Sequence, residues 1–162
     1  MNSVLFVCTA NMCRSPLAEG LLHLRISDEA NDWRIASAGT WANDGASASS
    51  NSVIVLKDRG YDISRHSSRT ITRAMVHNYQ LVLVMERGHK EAIRVEFPEA
   101  AGRVFMLSEM INQNFSIPDP VGGPLVDYET IANEIDYIID KGLDKIRQLS
   151  KEEEPVFPTN VE

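Results

Sequence analysis

The stretch Val7 to Pro16, Val-Cys-Thr-Ala-Asn-Met-Cys-Arg-Ser-Pro, restricts what this chain can fold into more than any other part of it. It follows the β-favouring run Val4-Leu5-Phe6-Val7 and precedes helix-forming residues, so it reads as a strand, a tight loop and a helix start. A helix start presents unpaired backbone N–H groups and the positive end of aligned peptide dipoles, which makes such a loop an anion site. Cys8 opens the loop, and a thiol among convergent N–H donors beside a cation is stabilised as thiolate. Arg14 closes it with a planar fork that binds two oxygens of a phosphate at once, a geometry that lysine lacks. Ser15 is placed to donate a hydrogen bond to the Cys8 sulfur, and Pro16 suits the first turn of a helix, where no N–H is needed. Nucleophile, N–H cradle and clamp fall between Cys8 and Ser15, enough for a thiolate to attack phosphorus in line and form a cysteinyl-phosphate.

With 162 residues, 43% of them hydrophobic, the chain can bury one sizeable core. The expected organisation is a single domain over residues 1–150, followed by a charged, proline-broken tail over 151–162. Met1-Asn2-Ser3 lacks a basic leader, and the apolar run behind it is too short for a signal peptide or a membrane span. The expected setting is therefore the cytoplasm, without a membrane partner. Cys8 and Cys13 lie too close together for a disulfide framework, and with four scattered histidines they lack the ligand spacing of a zinc site. No metal and no cofactor are expected. A formal charge of −7 argues against a nucleic-acid partner. Arg59, Arg65, His66, Arg69 and Arg73 form a local basic segment, either a solvated surface or a border for an anionic substrate.

The remaining pattern alternates strands and helices. A helix is expected from Pro16 to Ala30, a strand over Trp33–Ala38 ended by Gly39, and a surface loop from Thr40 to Ser50. A helix follows from Ser52 to a stop at Gly60, and Leu81–Met85 is a continuous apolar run of the kind that parallel sheets bury. A short helix over Glu86–Val95, a fourth strand over Arg103–Leu107 and a loop over 112–124 come next. The last helix, from about Pro124 to Leu149, carries Ile131, Ile135, Ile138, Ile139, Leu143 and Ile146 on one stripe. This alternation implies βαβ crossovers and a parallel sheet with helices on both faces.

The string around Cys8 and Arg14, immediately after an N-terminal strand, resembles the signature of the low-molecular-weight protein tyrosine phosphatases. The resemblance implies a three-layer Rossmann-like fold whose four-stranded parallel sheet runs in the order 2-1-3-4, so the Cys8 loop meets the crevice where strand order reverses. It also implies a phosphomonoester hydrolase that takes a phosphotyrosine-containing protein and releases inorganic phosphate. A thiolate attacking a phosphate monoester needs an acid for the leaving oxygen. Asp119, fixed between Pro118 and Pro120, is a carboxylate aimed from a rigid loop, with Gly122 and Gly123 allowing the chain to turn. The resembled enzymes use an aspartate of an Asp-Pro pair at this place as general acid and then general base. The loop residues Thr9, Ala10, Asn11, Met12, Cys13 and Ser15 would surround the substrate, while Ser37 and His66 would tie Asn11 and Ser15 in place. Glu86 matches a carboxylate after the third strand, or else caps a helix. The resemblance further pairs Cys13 with Cys8 as a redox partner.

Several positions depart from that pattern. Ala10 stands where many members have glycine, so a positive φ there would strain it. Met12 is apolar, as in the tyrosine phosphatases, where the arginine phosphatases of the same family have threonine. Val121 replaces an aromatic wall, which leaves Trp41 as a candidate aromatic contact unless it covers the core. The alternatives are a protein arginine phosphatase, an arsenate reductase that would need a thiol partner beyond Cys8 and Cys13, and a non-catalytic phosphate-binding module.

Overall fold

The computed structural model describes residues 1–153. Four parallel strands, β1 (Asn2–Cys8), β2 (Trp33–Gly39), β3 (Leu81–Val84) and β4 (Val104–Met106), form one sheet in the order β2-β1-β3-β4. The order expected from the resemblance is thus the one observed. β1 sits in the middle, with Cys8 in register with Gly39 of β2 and Val7 with Val84 of β3. The chain crosses from one side of β1 to the other between β2 and β3, so the carboxyl end of β1 opens at the reversal of strand order.

The period of two along β1 sends its side chains into two separate cores. Val4, Phe6 and Cys8 face α1 (Arg14–Arg25), α2 (Ser50–Asp58) and α5 (Leu125–Ser150), where they meet Leu17, Leu21, Leu56, Ile135 and Ile139. Leu5 and Val7 face the other way, toward α3 (Arg73–Asn78) and α4 (Arg87–Glu96), with Val76, Ile93 and Phe97. Both faces of β1 are buried, which is why it reads as an unbroken apolar run. The nucleophile candidate therefore ends a strand anchored on both sides.

Boundaries differ from the sequence reading in physically explicable ways. The first helix begins two residues early, at Arg14, and ends at Arg25; residues Ser27–Asp32 turn as 3-10 helix. α3 falls in and beyond the basic segment and went unread; its signal is Thr72, whose hydroxyl accepts from the Met75 N–H as an N-cap. The basic segment is not a single patch. Arg59 bonds Asn133, Arg73 pairs with Glu99, and Arg69 and His66 turn toward Asn11. Of the expected tail, Lys151 bridges to Asn2 and the Glu152 N–H donates to the Met1 carbonyl, while residues 154–162 lie outside the described residues. No helix among the described residues is long and apolar enough to cross a membrane.

Candidate active site

The loop from Cys8 to Arg14 is held open by a fully buried asparagine. Asn11 takes the left-handed conformation at φ 57, a region that asparagine tolerates better than most residues. The strain anticipated at Ala10 does not arise, because the positive φ falls one residue later. Every polar group of the Asn11 side chain is used. Its Nδ2 donates to Ser15 Oγ and Ser37 Oγ, both at 2.9 Å, and its Oδ1 accepts from the Arg69 N–H at 3.1 Å. The Asn11 carbonyl accepts from His66 Nε2 at 2.7 Å. Ser37 and His66 thus both reach Asn11 and neither reaches Ser15, and two further residues complete the frame. Arg69 also donates from Nε to the Ser37 carbonyl, and Ser37 Oγ donates to Glu19 Oε2 at 2.5 Å. Burial pushes the Glu19 carboxyl up despite Ser37, His66 and Arg69 nearby.

The amides of the loop stay out of this network. Among the described residues the N–H groups of Ala10, Asn11, Met12 and Cys13 have no protein acceptor. Gly39 makes the fit possible, since a Cβ there would lie 2.3 Å from the Thr9 carbonyl oxygen and 3.0 Å from the Asn11 nitrogen. Its role as a strand end was legible from sequence; its contact with the loop was not.

Cys8 Sγ lies 3.0 Å from Ser15 Oγ. Ser15 Oγ accepts from Asn11, and its single proton has two acceptors within reach, the Cys8 sulfur and the Ala38 carbonyl at 3.3 Å. Arg14 is 1% exposed. Its Nη1 donates to the Ile117 carbonyl at 2.7 Å and sits 3.2 Å from Glu86 Oε2, while Nη2 is 3.5 Å from Asp119 Oδ2. Its Nε is buried with no partner, an arrangement costing on the order of 1–3 kcal/mol unless a ligand oxygen meets it. Glu86 serves both alternatives raised for it, being N-cap of α4 and ion-pair partner of Arg14. Asp119 Oδ1 accepts from the Val121 N–H at 3.1 Å, an Asx turn that fixes its carboxylate over the site. Cys8, Met12, Arg14, Ser49, Asp119 and Val121 line one cavity of about 50 Å³.

Trp41 lies off this cavity, whereas Cys13 is on its wall. Trp41 neither covers the core nor lines this cavity: it is 84% exposed, and its backbone N–H donates to the Thr9 carbonyl. Cys13 Sγ faces Ser49 Oγ at 2.8 Å and Tyr128 OH at 3.6 Å, and burial pushes its thiol up, with Asp119 and Cys8 adding to the effect. Ser49, whose N–H also donates to the Met12 carbonyl, was not read from sequence; it sits in a run of small polar residues that carries no local signal. His89 was missed as well. Its Nε2 is 2.8 Å from Thr9 Oγ1 and 3.2 Å from Glu86 Oε2.

Residues 3–154 match the model of the low molecular weight phosphotyrosine protein phosphatase family. A probable low molecular weight protein-tyrosine-phosphatase, EpsP, of Ralstonia nicotianae is 34% identical over 149 residues, covering 92% of this chain and 99% of that protein. A protein-arginine-phosphatase of Geobacillus stearothermophilus is 34% identical over 145 residues, covering 89% and 95%. The crystal structure of a low molecular weight protein tyrosine phosphatase from T. tengcongensis superposes with a TM-score of 0.85 at 38% identity, covering 90% of this chain and 99% of the other. Sheet order, loop and near-complete coverage agree, and the chain belongs to the low molecular weight phosphotyrosine protein phosphatase family.

Proposed function

We propose that this protein hydrolyses phosphotyrosine in proteins through a cysteinyl-phosphate on Cys8. The phosphate dianion takes the loop N–H groups and the Arg14 fork as donors. Cys8 Sγ attacks phosphorus as the P–O bond to tyrosine breaks, and Asp119 gives its proton to the departing phenolic oxygen. In the second half Asp119, now a carboxylate, takes a proton from water; the water oxygen attacks phosphorus, the S–P bond breaks and inorganic phosphate leaves. Ser15 stabilises the returning thiolate by its hydrogen bond. The carrying observation is that a buried arginine with an unpaired Nε opens on the same small cavity as Cys8 and Asp119. A reducing compartment such as the cytoplasm suits this chemistry, since it keeps the nucleophile a thiol.

Met12, partly buried at the cavity wall, supports an aromatic substrate by offering apolar contact to a ring. Phosphoarginine is the second reading, favoured by the relative from Geobacillus stearothermophilus and by Val121 at the place of an aromatic wall. Turnover of phosphotyrosine, phosphoarginine and phosphoserine peptides separates them. Phosphotyrosine is expected to be cleaved fastest, and Cys8→Ser should bind vanadate yet lose several orders of magnitude in kcat. Residual turnover within about tenfold of wild type would exclude a covalent Cys8 mechanism.

A further inference from the structure

His89 lies on the first turn of α4, buried behind the loop and outside the cavity that Cys8, Arg14 and Asp119 line. Its ring is held at both nitrogens. The Glu86 backbone N–H donates to Nδ1 at 3.2 Å, so Nδ1 carries no proton and the neutral ring has its proton on Nε2. That Nε2 has two acceptors within reach, Thr9 Oγ1 at 2.8 Å and Glu86 Oε2 at 3.2 Å. The same Glu86 oxygen is 3.2 Å from Arg14 Nη1. A continuous chain of polar contacts therefore runs from the first loop residue after the nucleophile to the clamp, and His89 is its one member that is buried and lies outside the cavity.

We infer that His89 is a positioning residue for phosphate binding: its Nε2–H ties the Thr9 hydroxyl to the Glu86 carboxylate, and Glu86 in turn sets the orientation of the Arg14 guanidinium. Without that donor, the Glu86 carboxylate keeps only the α4 cap and Arg14 as partners, and the orientation in which it meets the Arg14 fork is less fixed. Thr9 would likewise lose the contact that anchors the start of the loop. The groups facing the ring are Thr9 from the loop after β1, Arg14 from α1, Glu86 at the head of α4 and Asp119 from the loop before α5. Burial pushes the imidazole down, which keeps it in the neutral form that this arrangement requires. A protonated ring would point a second N–H at the Glu86 N–H and add a cation beside Arg14.

The inference rests on the phosphatase reading, and two amide variants test it. In His89→Gln the side-chain nitrogen reaches the place of Nε2 and keeps the donor to Thr9 and Glu86. In His89→Asn the amide reaches only the place of Nδ1, keeping an acceptor for the Glu86 N–H while losing the relay. The full-length wild type and both variants are compared for kcat and KM on p-nitrophenyl phosphate, for inhibition by inorganic phosphate, and for Tm. His89→Gln should stay within about threefold of wild type, whereas His89→Asn should weaken phosphate inhibition and kcat/KM by about tenfold or more, the size expected for a lost buried hydrogen-bond link. The Asn variant should do this at a Tm close to that of the Gln variant. Thr9→Val removes only the hydroxyl that His89 contacts, and should weaken phosphate inhibition in the same direction even if His89→Asn folds poorly. Equal phosphate inhibition in an active wild type, His89→Asn and Thr9→Val would overturn the inference alone, as would losses that simply follow Tm. An inactive wild type would overturn the phosphatase reading and this inference with it.

Discussion

A guanidinium buried to 1% exposure survives only because it is paired, and at Arg14 the pairing is lopsided. One carbonyl and two carboxylates hold its Nη atoms while Nε is left for a ligand. Arg14→Lys should therefore be nearly as damaging as Arg14→Ala, each losing roughly 100-fold or more in kcat/KM, because a point charge cannot reproduce the fork on a transferring phosphoryl group. Recovery of most activity by lysine would reduce Arg14 to a distant charge. Asp119 is tested by a series of aryl phosphates. Asp119→Asn should slow those with poor leaving groups by roughly 100-fold and spare activated ones in the first step. A small, uniform loss across the series would leave Asp119 as a turn residue only.

At the scale of elements, the loop is shaped by what stands behind it rather than by its own residues. Gly39 at the end of β2 admits no side chain, since the contact at 2.3 Å is to backbone. Gly39→Ala should push Thr9 and Asn11 out of place, costing on the order of 1–3 kcal/mol in stability by denaturant titration and at least tenfold in kcat/KM. Cys13 presents the opposite case, a side chain held by Ser49 and Tyr128 from α2's N-cap and α5. Mild peroxide should oxidise Cys8 to sulfenic acid, and the Cys13 thiol should then displace water to form a disulfide that dithiothreitol reduces. In Cys13→Ser the sulfenic acid has no resolving thiol and should advance to irreversible sulfinic acid. Equal recovery of wild type and Cys13→Ser would deny Cys13 any redox role.

For the whole molecule, burial sets the dependence of stability on pH. His23, stacked on Tyr61 with 5.3 Å between ring centroids, and His89 are both pushed below 6.5 by burial. As pH falls through 6.5 the unfolded chain takes up protons that the folded one refuses, so these residues cost stability toward acid. Glu19 acts in reverse. Its carboxyl is raised above 4.5, so the folded state holds a proton that the unfolded state has released, and its contribution is lost as pH rises through the folded value. Between about pH 7 and pH 5.5, Tm should fall less in His23→Gln than in wild type, and as pH rises from 4.5 Glu19→Gln should lose less Tm than wild type, as calorimetry at several pH values would show. Parallel curves for all three proteins would contradict the assignment. Local pattern was enough for the apolar run of β3, the stripe of α5, and the strand, loop and helix start that bring Cys8 and Arg14 to one cavity. The two prolines marked Asp119 as a rigid turn residue, and its role as acid came from the resemblance. Sheet order came from resemblance, because hydrophobic period records which face is buried and not which strand lies alongside. Tertiary structure alone decided the rest. Glu19, Ser49, Arg69 and His89 carry no motif of their own, and they join the site only because α1, the N-cap of α2, the segment before α3 and the head of α4 converge on the end of β1, where each meets a polar group of the loop or of Ser37 behind it.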